Sequence, residues 1–356
     1  MKKISASVCL ATFNGAKYLK EQLDSLLYQT FMPDEIVVSD DNSTDETPII
    51  LKQFQSQYPH LFRVFLHNNR IGFIRNFERC LKEARGDLVA LCDQDDVWLP
   101  EKLAKQVAVF NEHPEVGLVF CDLRVVDSIL QPIQDSFWKV LGFKGSGLLP
   151  KEFNLRLLRR NVVTGSTLVI RREVLKRAFP FPNSLPHDHW LAILGSTLWR
   201  AYAIPDSLVL YRQHKSNAIG AFIVPPAKID NYIWNLKVQL QALEELQPRL
   251  ENLESPNSQI SACVSNIKVL RNFLDLRTNL FSEKRLSQRK LIFHNLFRSR
   301  PSLAGQYSKM SMVFDCVAVI SPILAFLCLK NFQNFQKAYL KLISLKNAFS
   351  SSFHSI

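Results

Sequence analysis

The chain has 356 residues, 47% hydrophobic and 21% charged, which suits one large or two ordinary folded domains and excludes an intrinsically disordered protein. Its seven cysteines (9, 80, 92, 121, 263, 316 and 328) form no Cys-x-x-Cys pair, so neither a disulfide framework nor a structural zinc site is indicated, and a reducing cytoplasmic setting is expected. The net charge of +12 is concentrated: Lys268 to Lys346 carries fourteen Lys or Arg against three acids, +11 of the total, which argues against a nucleic-acid groove in the near-neutral remainder.

The opening "MKKISASVCLA" is too short and too broken by serine for a signal peptide. "SVCLAT" (7–12) reads as a strand, followed by a helix over 16–29 with Leu19, Leu23, Leu26 and Leu27 at helical spacing. "EIVVSD" (35–40) is a second strand and "STDETPIILKQFQSQY" a capped helix from about Asp45. "FRVFLH" (62–67), a helix over 73–84 and "DLVALCD" (87–93) continue the alternation, then a helix over 101–111 and "VGLVFCD" (116–122). Such alternation with short links predicts an α/β fold with a mainly parallel sheet covered on both faces. Residues 153–179 read as helix, short strand, helix; "PHDHWLAILGS" as a short helix; and 199–214 as one or two strands.

Beyond Pro225 and Pro226 the pattern turns helical, which divides the chain into residues 1–222 and a basic helical region, 223–356. Within that region "MVFDCVAVISPILAFLCLK" (312–330) places seventeen residues between Met312 and Lys330, with Asp315 near its start and Pro322 in its middle. A spanning helix needs about 20 apolar residues, so an interfacial or packed-core helix is favoured over a true span. The basic residues around it suit an anionic membrane surface.

Ligands of open α/β sheets bind beyond the carboxyl ends of the strands. Polar residues gather there: Thr12 and Asn14 after the first strand, Asp40 and Asp41 after the second, Asp93, Asp95 and Asp96 after the fourth. Paired aspartates at a strand end are either a solvated, capping turn or a site for Mg²⁺ or Mn²⁺, which takes one or two carboxylates and completes its shell with water and phosphate. Asp40 suits a nucleotide base or ribose, while Ser43 to Asp45 read as capping residues. His187, Asp188 and His189 cannot easily share a metal, since neighbours on a helix point about 100° apart. Trp98 and Trp190 read as packing residues, and Cys92 as a small buried side chain. Gly165 in "VTGST" is either a turn or a close approach of backbone to sugar.

In these motifs, "SVCLATFNGAKYLKEQLDSLLYQT", "EIVVSDDNSTDET", "ARGDLVALCDQDDVWLPEKL", "VTGSTLVIRREVL", "HDHW" and "YRQHKSN", the sequence resembles the family 2 inverting glycosyltransferases over about residues 5–220. The resemblance implies the nucleotide-diphospho-sugar transferase (GT-A) fold. It implies base and nucleotide contacts from Thr12, Asp40, Asp93 and Arg212, and an Mg²⁺ or Mn²⁺ held by Asp93, Asp95 and His214; Arg70 in "HNNRIG" either reaches the base or is an ordinary surface arginine. It makes Asp188 the base that activates the acceptor, with His187 standing where the family usually has Glu and Asp96 left without a settled role. "CDQDDVWLPEKL" with "YRQHKSN" looks most like the bacterial rhamnosyltransferase branch. That implies transfer of L-rhamnose from dTDP-rhamnose, or otherwise of a hexose or N-acetylhexosamine from UDP, to a lipid-linked or polysaccharide acceptor at the inner face of the cell membrane. A non-catalytic sugar-nucleotide or glycan-binding protein is the competing reading; a nucleotidyltransferase lacks its Gly-rich, basic loop here.

Overall fold

A computed structural model of the chain describes residues 4–215 except 159, residue 217, residues 229–253 and 258–283, and positions 288 and 292. The expected elements follow in order, with one short unforeseen strand, β5: β1 (Ala6–Thr12), α1 (Ala16–Leu27), β2 (Glu35–Asp40), α2 (Thr47–Gln57), β3 (Phe62–Leu66), α3 (Phe73–Glu83), β4 (Leu88–Cys92), β5 (Val97–Trp98) and α4 (Lys102–Glu112). β6 (Val116–Val126), β7 (Pro132–Gln134), α5 (Phe137–Leu141), β8 (Gly147–Leu148) and α6 (Phe153–Leu157) come next. A 3₁₀ turn over Gly165–Thr167 leads into β9 (Leu168–Arg171), α7 (Arg172–Leu175), α8 (His187–Leu198) and β10 (Arg200–Arg212).

The ten strands form one sheet with the path β3-β2-β1-β4-β9-β6-β10-β5, β7 and β8 pairing off it. Its first four strands are parallel, and β1 and β4 are buried almost throughout, as continuous apolar runs covered by helices on both faces require. The sheet is mixed where a mainly parallel one was expected. β9 enters antiparallel between β4 and β6, because the tight 3₁₀ turn feeds it back without a crossover. The region 199–214 forms one strand, β10, parallel to β6 and antiparallel to β5.

Leu19, Leu23 and Leu26 of α1 are fully buried beside Leu10 and Ile36, which accounts for their spacing. Each such side chain contributes roughly 1.5–3 kcal/mol through removal from water. Trp98 and Trp190, 2% and 1% exposed, are packing residues as expected.

The chain divides into two compact units, Met1–Ala221 with Asn252–Cys263, and Phe222–Glu251 with Val264–Ile356. In the second, α9 (Ile229–Glu251) buries Leu236, Leu243, Leu246 and Leu250, one stripe at helical spacing. α10 (Ser258–Ser282) buries Ile267, Leu270, Phe273 and Leu274 there, and Arg271 donates to Gln247 at 2.6 Å. Among the described residues no helix is long and apolar enough to cross a membrane. The 312–330 segment and most of the basic tail lie outside the described residues.

Candidate active site

The parallel register sets the site's first wall. Thr12 and Asp40 are direct partners at the ends of β1 and β2, and the Thr12 hydroxyl donates to Asp40 Oδ1 at 2.8 Å. The Ser43 hydroxyl donates to the same oxygen at 2.6 Å and the Ser43 amide to Oδ2 at 2.8 Å, closing the turn after β2. Asp45 accepts from the Ala16 and Thr47 amides at the starts of α1 and α2, so Ser43 to Asp45 are structural. Asp41 points elsewhere and accepts from the Ile71 and Gly72 amides, both at 2.8 Å, which fastens the loop before α3. That loop carries Arg70, exposed, its guanidinium 3.8 Å from the centre of the Phe13 ring.

β4 ends at the second wall. Asp93 is part-exposed and pushed up to about 8 by desolvation, then by Asp95 and Asp188. Asp95 Oδ2 meets His214 Nε2 at 2.9 Å and the Asn217 amide at 3.3 Å. Burial raises its pKa, and His214 offsets part of that. Asp96 is fully buried and accepts from the Arg212 amide at 3.0 Å. Desolvation and its two neighbouring aspartates push its pKa well up. β5 makes this arrangement: its antiparallel pairing with β10 lays 95–96 against 211–214.

Arg212 differs from its expected place. Its side chain is 1% exposed, donating from Nε to the Asp95 carbonyl and from Nη1 to the Ser128 carbonyl, both at 2.8 Å, and from Nη2 to Glu21. A guanidinium committed in this way scaffolds the Asp95 loop.

Asp188 is the second residue of α8 and part-exposed. Burial pushes its carboxyl up to about 6, opposed by hydrogen bonds from the His189 amide (2.7 Å), the Gly165 backbone and Asn161 (3.3 Å). It shares a small space with Asp93: a Cβ built on Gly165 would stand 3.7 Å from Asp188 Cβ and 3.9 Å from Asp93 Oδ2. Gly165 is therefore a close approach as well as a turn.

Asp93, Asp95 and His214, the three expected metal ligands, do not gather into one set; among the described residues no group of three or more His, Cys, Asp or Glu side chains forms a metal centre. Asp95 pairs with His214, while Asp93 borders Gly165 and Asp188. The donor set nonetheless fits a hard divalent cation that keeps few protein ligands and takes the rest from phosphate and water. Burial first, and then neighbouring carboxylates, raise the pKa of Asp93 and Asp96, and a bound cation would oppose both effects.

Several contributors escaped sequence reasoning. Gln94 spans the site floor, accepting from the Phe13 amide at 2.9 Å and donating to the Phe13 carbonyl at 3.0 Å. Asn76 of α3 donates to the Thr12 and Ser39 carbonyls at 3.2 and 2.9 Å. Tyr211 lies in the field of Asp96, Asp93, Asp95 and Asp188, which adds to burial in pushing its pKa up. Gln94 and Tyr211 stand inside the quoted motifs, whereas no motif marked Asn76.

Comparison with known proteins agrees with this architecture. Residues 7–179 match the model described as Glycosyl transferase family 2. An uncharacterised protein of Mycobacterium tuberculosis is 33% identical over 211 residues, 58% of each chain, so this chain spans little more than half the length of that relative. The dTDP-rhamnosyl transferase RfbG of Shigella flexneri is 28% identical over 232 residues, 62% of this chain and 76% of its own. Among solved structures, TarS 1–349 of S. aureus, crystallised with UDP-GlcNAc, superposes with a TM-score of 0.59 at 17% identity, covering 94% of this chain and 92% of that one. At that identity the likeness shows the fold alone, the nucleotide-diphospho-sugar transferase fold. Residues 7–179, a little under half of the chain, are thus a family 2 glycosyltransferase domain.

Proposed function

We propose that this protein is an inverting glycosyltransferase that moves a sugar from a nucleoside diphosphate to a hydroxyl of a glycan acceptor in surface polysaccharide synthesis. The observation that carries the reading is the facing pair across Gly165: Asp188, part-exposed with its carboxyl near 6, and Asp93 at the strand-end cluster. A base beside the nucleotide cluster is what a single displacement requires. Asp188 takes the proton of the acceptor hydroxyl, whose oxygen bonds to the anomeric carbon from the face opposite the diphosphate. The bond from that carbon to the diphosphate oxygen breaks, and its electron pair leaves with the nucleoside diphosphate. General base catalysis of this kind supplies about 10²–10⁴-fold.

Thr12, Asp40 and Arg70 would border the base and ribose, with Phe13 and Arg70 as a flat stacking pair. Asp95, with His214 or Asp93, would hold Mg²⁺ or Mn²⁺. A bound divalent cation neutralises charge developing on the leaving diphosphate. In support, the mannosyltransferase PcManGT of Pyrobaculum calidifontis, of similar fold (TM-score 0.50), was crystallised with GDP-Man and Mn²⁺. L-Rhamnose from dTDP-rhamnose is the favoured donor, on the motif resemblance and the similarity to RfbG. The acceptor is a lipid-linked or polysaccharide glycan, met at the inner face of the cell membrane.

The test is release of nucleoside diphosphate from a panel of dTDP- and UDP-sugars with Mn²⁺ or Mg²⁺. One donor should be hydrolysed slowly, and both EDTA and Asp95→Ala should abolish it. If dTDP and UDP bind but no donor is cleaved even with glycan acceptors present, the chain is a sugar-nucleotide-binding protein instead.

A further inference from the structure

His187 is a buried polar side chain for which neither the fold nor the chemistry above has a use. It opens α8 and is 6% exposed. Its ring lies on Phe77, centroids 3.8 Å apart at 22°, and Phe73 meets it edge-on at 6.1 Å. Neither Nδ1 nor Nε2 has a hydrogen-bond partner among the described residues. Buried polar atoms are seldom left unpaired, and the exceptions call for a water, an ion or a functional role. Packing against Phe77 alone would be served as well by an apolar ring.

The direction of the ring indicates what completes it. A Cβ built on Gly165 would stand 3.2 Å from His187 Nε2, beside its contacts to Asp188 and Asp93. Gly165 is outside the left-handed region, so glycine is not demanded there by the backbone and its effect is room. Nε2 therefore looks across the space that the two carboxylates border. Under the displacement proposed above, that space holds the transferred sugar, whose anomeric carbon must come within reach of the hydroxyl held by Asp188. Burial lowers the imidazole pKa to about 3, so the ring is neutral at physiological pH and offers one donor and one acceptor. A neutral ring suits a hydroxyl and gives no charge to a phosphate.

We propose that His187 Nε2 hydrogen-bonds a hydroxyl of the transferred sugar and so helps to set which donor is accepted. This rests on the transferase reading, and the experiment separates the two. Wild-type protein, His187→Phe, His187→Gln and Gly165→Ala are titrated calorimetrically with dTDP, UDP, dTDP-rhamnose, UDP-glucose and UDP-N-acetylglucosamine, thermal melts serving to confirm folding. Phe keeps a ring against Phe77 and removes both nitrogens. Gln restores a hydrogen-bonding group, and the alanine methyl crowds Nε2.

The expected result is nucleoside diphosphate affinity within about twofold of wild type, with the best-bound nucleotide sugar weakened about 10-fold in His187→Phe. Gly165→Ala should weaken it too, and His187→Gln should recover part of the loss. Unchanged nucleotide-sugar affinity in the folded variants overturns the assignment, as does an equal loss for nucleoside diphosphates, which would mark a purely structural role. If His187→Phe does not fold, the Gln and Ala variants carry the same comparison. Wild-type protein that binds none of the five overturns the transferase reading and this assignment with it.

Discussion

As the proposed base, Asp188 has to be reachable, basic and close to the sugar at once, and its surroundings pull on it in opposite directions. Desolvation disfavours its charge, while the N-terminal end of α8, the His189 amide and Asn161 favour it. The balance near 6 is that of a base that is ionised at neutral pH yet still holds a proton usefully. Because the deprotonated form is the active one and the pKa is raised, activity is present above about pH 6 and falls about tenfold per unit below it. A profile of kcat/KM that stays flat down to pH 5 would remove Asp188 from this role. Asp188→Asn should lower turnover by about 10²–10⁴-fold while leaving the Kd for nucleoside diphosphate near that of wild type.

At the scale of elements, the site depends on side chains that fasten strand ends to one another. Gln94 links the end of β4 to Phe13, and Asn76 of α3 links β1 to β2 while accepting from the Ser39 hydroxyl at 2.7 Å. Gly15 is required beside Gln94, since a Cβ there would stand 2.3 Å from Gln94 Oε1. Asn76, 2% exposed, should be the most sensitive of these. Asn76→Leu removes three buried hydrogen bonds, leaving the Thr12 carbonyl with the Asp41 amide and the Ser39 hydroxyl with His67, and costs about 2 kcal/mol. That corresponds to a melting temperature lower by roughly 4–8 °C, read from intrinsic tryptophan fluorescence. An unchanged melt would show that other groups or water satisfy those carbonyls.

At the scale of the whole molecule, charge and chemistry are segregated along the chain. The candidate site lies in the nearly neutral part, and eleven Lys and Arg residues follow Glu283 against one acid, Asp315. Attraction of such a segment to anionic lipid amounts to about 1 kcal/mol per basic residue near the surface. A chain ending at Glu283 keeps both described helices of the second unit. It should move from the membrane pellet to the supernatant after cell lysis and retain nucleotide binding. Unchanged sedimentation with membranes would overturn the proposed membrane association.

The sequence by itself determined what depends on local order. Hydrophobic period and turn chemistry marked β1, β2, β4 and the helices between them, and the rule that ligands bind beyond strand ends singled out Thr12, Asp40 and the Asp93 cluster. Tertiary structure decided whatever depends on distance between remote residues. Asp95 and His214, 119 positions apart, meet only because β10 returns beside β5. The same return buries Arg212 and sets its guanidinium on the Asp95 and Ser128 carbonyls. β9 runs against its neighbours because of a three-residue turn whose direction no periodicity records. His187 reads as one polar residue among several in "HDHW", and only its packing against Phe77 shows that both its nitrogens lack partners among the described residues. Local propensity reaches a few residues along the chain, whereas a site is a convergence in space.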